Sequence, residues 1–294
     1  MRGGKLVKRG AAMTGVLLGA MLLLAWALHP DDAAGPCVVA HGPVMFPEIP
    51  EASGLAVSRR DPALLWSHND SGSAAVLFAL DTAGTVRGRV RVPIRTRDWE
   101  DVSTARCASG DCLYIADIGD NRRARQRIRI YRVPEPGPED EETAPPEVFD
   151  ATYADGPHNA EAMFVVGGDL FIVTRDRVGG VYRTTLAAGQ ELTFQRIGQL
   201  GLEAVTDAEA SQDEKSVVVR TSHEAVLYWT EDLKLGGSVP YLRIPIDGLK
   251  EVQGEGVALD GSMLYLSSEG RPWNRAGRLL TLRCNEGSLK RSTH

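Results

Sequence analysis

From residue 36 onward the chain is a succession of short apolar runs broken by Gly, Asp, Asn and Pro. Runs such as "LLWSHND", "CLYIADIGDN" and "DLFIVTRD" are rich in Leu, Ile, Val and Tyr. Others, such as "IRIYRV", alternate polar and apolar positions. No segment beyond residue 28 sustains a helical period, and runs of four to eight such residues between turn formers predict strands.

The strands recur as a unit. A small or acidic residue leads into a first strand: "SGLAVS" from Ser53, "EDVSTA" from Glu100, "EAMFVV" from Glu161, "DAEASQ" from Asp207 and "EGVALD" from Glu255. Each is followed by a second apolar strand ending in polar residues and by a third. Four units add a fourth strand: "TVRGRVRV", "PEVFDATYA", "LTFQRIGQ" and "VPYLRIPI". The first elements are spaced 47, 61, 46 and 48 residues apart, the longest gap absorbing "PEPGPEDEETAPPE", a Pro- and acid-rich loop expected to be mobile. Four-stranded units at this period predict an all-β fold, a β-propeller. Five blades are expected, with a degenerate sixth near residues 135–158 as the alternative. The fifth unit has only three strands, and "PCVVAHGPV" (36–44) would supply its outer strand and close the ring. The domain reading is therefore a propeller over residues 36–286 and a disordered tail over 287–294.

The N-terminus changes the picture of location. Arg2, Lys5, Lys8 and Arg9 precede the uncharged run Ala11–Leu28. That is an export signal over residues 1–28, with Ala25-Trp26-Ala27 as a cleavage site, or a membrane anchor if left uncut. The remainder is expected outside the cytoplasm, periplasmic or secreted, as a monomer that meets a membrane only through this segment. Losing these four cations lowers the formal charge from −6 to −10, the wrong sign for a nucleic-acid partner. Cys37, Cys107, Cys112 and Cys284 form an even set in an exported chain, so disulfides are expected. Three pairings exist; Cys107 and Cys112 bracket a four-residue turn, which would leave Cys37–Cys284 to tie the chain ends.

In a blade, first-strand starts and second-strand ends lie on one face of the axial channel. The first class holds Asp98, Trp99, Glu100, Asp101, His158, Asn159, Glu161, Asp207, Glu209 and Glu255. The second holds His68, Asn69, Asp70, Asp117, Asp120, Asn121, Arg175, Asp176, Arg220, His223, Glu224 and Glu269. Glu100, Glu161, Asp207 and Glu255 are read as occupying one inner position in four blades, with Ser53 in its place in the first blade. Carboxylates ringing an axis need a cation, protons or arginines. Calcium suits oxygen donors of this kind, with another divalent metal as the alternative. The competing role is to bond backbone amides of the next blade. Asp120-Asn121 reads as turn chemistry, and Asp117, within the strand, as the better ligand. His68, His158 and His223 share the face without a zinc spacing. Trp99 and Trp273 could stack on a flat ligand, though packing between blades suits them better. The arginine stripes of the first two blades read as solvated flanks that discourage edge pairing. No Gly-x-Ser-x-Gly elbow, P-loop or dinucleotide fingerprint occurs.

"SGLAVSRRDPALLWSHNDSGSAAVLFALDTAG", "DWEDVSTA", "LYIADIGDN", "HNAEAM" and "GEGVAL…LYLSSEG" together resemble the exported bacterial propellers grouped with phytase-like and esterase-like proteins. A glutamate before strand one and "LY-x-x-D" in strand two are also similar to the five-bladed calcium-dependent apyrases. The resemblance implies Glu100, Glu161 and Glu255 as metal ligands. The lysine-rich phosphate grip of phytases is absent, and Arg175 and Arg220 would take its place. The expectation is an acidic axial face that binds a divalent cation and either a small anionic or sugar-like ligand or a partner protein. His68, Asn69, Asp70, Arg175, Arg220, His223, Glu269 and Trp99 would contact that ligand. The alternative is a metal-dependent hydrolase of phosphoesters or esters, with His158 or Asp117 activating water.

Overall fold

The computed structural model describes residues 35–70, 72, 74–187, 189–249, 251–270 and 276–289. The expected export segment and Trp273 lie outside them. The described strands form three four-stranded sheets and one eight-stranded sheet, the latter being two four-stranded units joined at their outer edges by a short parallel pairing of residues 192–194 with 151–153. The first unit is β2 (Ala52–Val57), β3 (Leu64–Asn69), β4 (Val76–Asp81) and β5 (Val86–Arg91). The second is β6 (Asp101–Cys107), β7 (Gly110–Asp117), β8 (Ile128–Pro134) and β9 (Glu147–Tyr153). The third is β10 (Ala160–Val166), β11 (Asp169–Thr174), β12 (Gly180–Thr185) and β13 (Leu192–Gln199). The fourth is β14 (Val205–Ala210), β15 (Ser216–Thr221), β16 (Glu224–Trp229) and β17 (Leu242–Pro245), with a one-turn helix α1 (Thr230–Lys234) before β17. The last is β18 (Gly254–Asp260), β19 (Met263–Ser268) and β20 (Gly277–Cys284), completed by the chain's first strand, β1 (Cys37–Phe46). Residues 147–153, within the stretch weighed as an extra blade, form the outer strand of the second unit.

Within each unit neighbouring strands run antiparallel, as their short turns require. Inner strands β2, β6, β10, β14 and β18 pack in succession, and β18 returns to β2, so the chain closes into a propeller. Buried apolar side chains form five clusters, one at each junction between adjacent units. Trp66 and Ile115 mark one junction, Phe149 and Met163 another, and Phe171 and Tyr228 a third. This explains the sequence pattern. β2, β10 and β14 are buried along their whole length and show no polar–apolar alternation, β10 and β14 even burying acids, whereas outer strands β5 and β13 face solvent and alternate.

β1 pairs antiparallel with β20, and Cys37 faces Cys284 in register and bonds to it. Cys107 bonds to Cys112 across the β6–β7 hairpin. Two expectations need correction. The tail does not begin at 287: a 3₁₀ turn spans Glu286–Leu289, and Leu289 packs on the neighbouring core. The acid-rich loop after β8 is laid down against β5. Thr143 N donates to Arg91 O, Arg91 N donates to Glu141 O, and the Glu135 carboxylate accepts from the Trp66 indole and the Arg59 amide. Its acids are thereby used to cover a strand edge.

Candidate functional site: an acidic crown over a plugged channel

The inner strands begin at one mouth of the axis with a β-bulge. Pairing slips by one residue between Ala160 and Ala162, between Val205 and Asp207, and between Gly254 and Val257. The bulged position is Glu161, Thr206 and Glu255 in these blades and Ser53 in the first, where the slip falls between Ala52 and Leu55. Glu100 precedes β6 in the same place, its amide donating to Ala116 O. A bulge re-aims its side chain out of the ladder. Here it re-aims Glu161 and Glu255, and Glu100 takes the equivalent place just before β6. The other two positions carry hydroxyls that stitch blades together: Ser53 Oγ donates to Glu100 O and Thr206 Oγ1 to Glu255 O, each at 2.8 Å.

Asp207 is thus one residue out of the expected ring. It is fully buried, and its carboxylate accepts from Ala208 N (2.6 Å), Val257 N (2.5 Å) and Leu55 N (3.3 Å). Its equivalent in the second blade, Asp101, accepts from Val102 N and Met163 N, both at 2.6 Å. The two buried carboxyls are electrostatically coupled, and a proton between them would let each bond the other. Burial and mutual repulsion push Asp101 well above the usual range, and burial pushes Asp207 up to about 7. Room for the pair comes from small residues at the same level; a Cβ at Gly54 would overlap the Asp101 carboxylate and backbone. Glu209, buried nearby, accepts from the Thr104 amide and hydroxyl. The channel below the mouth is therefore filled with bonded carboxyls.

Above this plug, oxygens of Asp70, Asp98 and Glu100 lie within 4.8 Å of one another. Asp70 follows β3, Asp98 closes the loop from β5, and Glu100 sits at the start of β6. A Cβ at Gly119 would overlap both Glu100 Oε1 and Asp98 Oδ2, so the "DIGDN" turn after β7 must carry glycine there to cradle the carboxylates. Burial, then Asp70, Asp98 and Glu255, drive Glu100 up to about 9. Burial raises Glu255 also. Half-buried Glu269 is raised to about 7 by burial and by Glu255 and Asp70. The carboxylates are crowded beyond what they can hold charged without a cation or protons.

The other candidates separate from this crown. Glu161, buried, is ion-paired with Arg175. Arg220 is fully buried, donating to Gly256 O, Ser267 O and the Glu251 carboxylate, so it presents no guanidinium to a ligand. Asp117 is buried against Arg125 (2.9 Å) and accepts from Arg97 N and Asp98 N; it positions the Asp98 loop and leaves no edge for water. His68 is fully buried and stacked on Trp99 with ring centroids 4.2 Å apart, and burial lowers it to about 4. Both rings pack between the first two blades. Neighbouring Asn69 accepts from Glu51 N. His158 bonds Asp155 and the Tyr182 hydroxyl, and exposed His223 bonds Asp247; neither touches the crown acids. Of the four carboxylates expected to hold a metal, Glu100 is in the cluster, Glu255 is coupled to it electrostatically, and Glu161 and Asp207 bond elsewhere. Asp98 was legible in "DWED" only as one of many polar residues on this face. Its role depends on the fold of the loop before it.

The fold and site define an all-β propeller with an acidic mouth. No family model matches the chain, and no curated protein matches it. Among solved structures it is similar to a gluconolactonase from Xanthomonas campestris (10% identity, 87% of this chain and 93% of that one, TM-score 0.49). It is also similar to a chain of a nidogen/laminin complex (15%, 74% and 72%, 0.44) and to the Dos1 propeller (10%, 74% and 53%, 0.36).

Proposed function

We propose that this protein is an extracytoplasmic, monomeric propeller that holds a hard divalent cation at its acidic mouth and presents it to a ligand. The observation that carries the reading is the convergence of Asp70, Asp98 and Glu100 oxygens within 4.8 Å, where burial first and the neighbouring acids second drive Glu100 up to about 9. The donor set fits calcium: all oxygens, from carboxylates on two blades, in a cradle that Gly119 keeps open. Asp70, Asp98 and Glu100 would hold the ion, with Glu255 and Glu269 adding negative field. A bound calcium would neutralise the cluster and accept an oxygen from a ligand above the mouth. The expected export segment and two disulfides support the location.

One observation favours a hydrolase as the second reading. Glu269 stands beside the crown with its carboxyl near neutrality, which suits a general base better than Asp117 or His158, whose bonds are already made. The experiment is thermal unfolding of the EDTA-treated protein with and without calcium, alongside ester and phosphoester panels. Calcium is expected to raise Tm; turnover lost in Glu269→Gln at unchanged Tm would select the hydrolase. No shift with any divalent cation would sink both readings.

A further inference from the structure

Arginines on this molecule are normally spoken for. On the outer flanks, Arg89 pairs with Glu48, Arg91 with Glu142, Arg127 with Glu191, Arg129 with Asp150 and Arg243 with Glu224, all at 2.6–2.8 Å. The strand-borne arginines of the stripes are thus neutralised by neighbouring acids. Several others break the rule, among them Arg95, Arg97, Arg106, Arg122 and Arg283, but Arg123 and Arg177 are the pair that share a cavity. Among the described residues, the exposed side chains of Arg123 and Arg177 make no ion pair or hydrogen bond. Both line a single open cavity of about 350 Å³ on the mouth side of the second and third blades, together with Arg175 and Asn121.

The walls of this cavity are preformed. Arg123 and Ala204 line it in the left-handed region, at φ 50° and 54°. Such backbone is unfavourable for residues other than glycine and persists only where surroundings impose it. Arg123 N donates to Asp120 O, Asp120 N donates to the buried Asn159 side chain, and Ala204 N donates to Asp176 O. Two acids also line the space. Asp176 is consumed by the Thr174 hydroxyl and the amides of Val178 and Gly179 at 2.8–2.9 Å. Glu203 is exposed and pairs with neither arginine. Two fixed loops therefore carry unneutralised guanidinium forks into one concavity, and such forks match the paired oxygens of a carboxylate or phosphate.

We propose that the cavity between the β7–β8 and β11–β12 loops is an oxyanion site in which Arg123 and Arg177 grip a carboxylate or phosphate group. The site does not require a cation at the crown. It replaces Arg220, expected from the sequence to hold such a group, with residues that the fold leaves accessible.

The test is calorimetric titration of the full chain, in EDTA, with inorganic phosphate and separately with glucuronate, so that the two arms distinguish the tetrahedral from the planar anion. Saturable binding of either probe is expected, weakened about tenfold or more in Arg177→Ala and in Arg123→Asn, and tightened in Glu203→Gln. Asparagine is chosen at 123 because it tolerates the left-handed backbone. If it nevertheless unfolds the protein, Arg177→Ala alone decides. Absence of saturable binding by both probes, or undiminished affinity in Arg177→Ala, overturns the proposal. Because no calcium is present, failure of the crown to bind calcium leaves this result unaffected.

Discussion

Glu100 carries the clearest electrostatic signature of the mouth. In an unfolded chain its carboxyl titrates near 4.5, and in the folded, metal-free protein near 9. Below pH 4.5 both states hold the proton and nothing is lost. From 4.5 to 9 the unfolded chain sheds it while the folded one keeps it, so stability falls as pH rises through this window and levels off above it. Thermal melts in EDTA should show this decline, and calcium should flatten it. Glu100→Gln should raise Tm in EDTA at pH 8 by roughly 3–6 °C, a relief of about 1–2 kcal/mol. It should also abolish the calcium-dependent gain. A variant no more stable than wild type at pH 8 would show that this carboxyl is not strained. At this scale the sequence was only half readable. Residue types on the face could be assembled from blade periodicity, but a one-residue bulge decides whether a side chain points to the mouth or the strand next door. Hence Asp207 looked equivalent to Glu161 and is not.

At the scale of elements, the inner strands are joined by side chain to backbone bonds as well as by apolar packing. Asp101 ties β6 to β10, and Asp207 ties β14 to both β18 and β2. The coupling between the two carboxyls then links the two staples. Asp101→Ala and Asp207→Ala should each cost about 2–4 kcal/mol in urea unfolding, because buried amides lose their acceptors. The double variant should cost less than the sum by about 1 kcal/mol or more, since either deletion already breaks that link. Strict additivity would mean that the pair does not act as a unit. Strand positions were largely legible: β13 spans 192–199, as "LTFQRIGQ" predicts, and the other fourth strands fall inside their predicted runs. What the pattern did not carry was the loop after β8. Its composition argues for mobility, yet Glu135 finds a buried indole and Glu142 an arginine, contacts that exist only once the first blade is packed beside the second.

For the whole molecule, closure is the decisive event. β1 completes the unit begun by β18, and Cys37–Cys284 fastens residues 247 apart in sequence. Replacing both with serine should cost about 2–5 kcal/mol, and replacing Cys107 and Cys112 less, because that bridge closes a loop of five residues. An equal loss in both pairs would argue that closure adds no stability. The propeller was readable because each blade repeats one hydrophobic pattern, and the missing fourth strand pointed to the chain's other end. The mouth was readable as acidic but not as a coordination set, because Asp98 and Gly119 enter it from loops that obey no period. Calorimetric titration of the EDTA-stripped protein with calcium tests the central claim most directly. One saturable site is predicted, lost in Asp98→Asn and in Glu100→Gln and kept in Asp155→Asn; no binding heat at millimolar calcium, or binding undiminished in the first two variants, would contradict it.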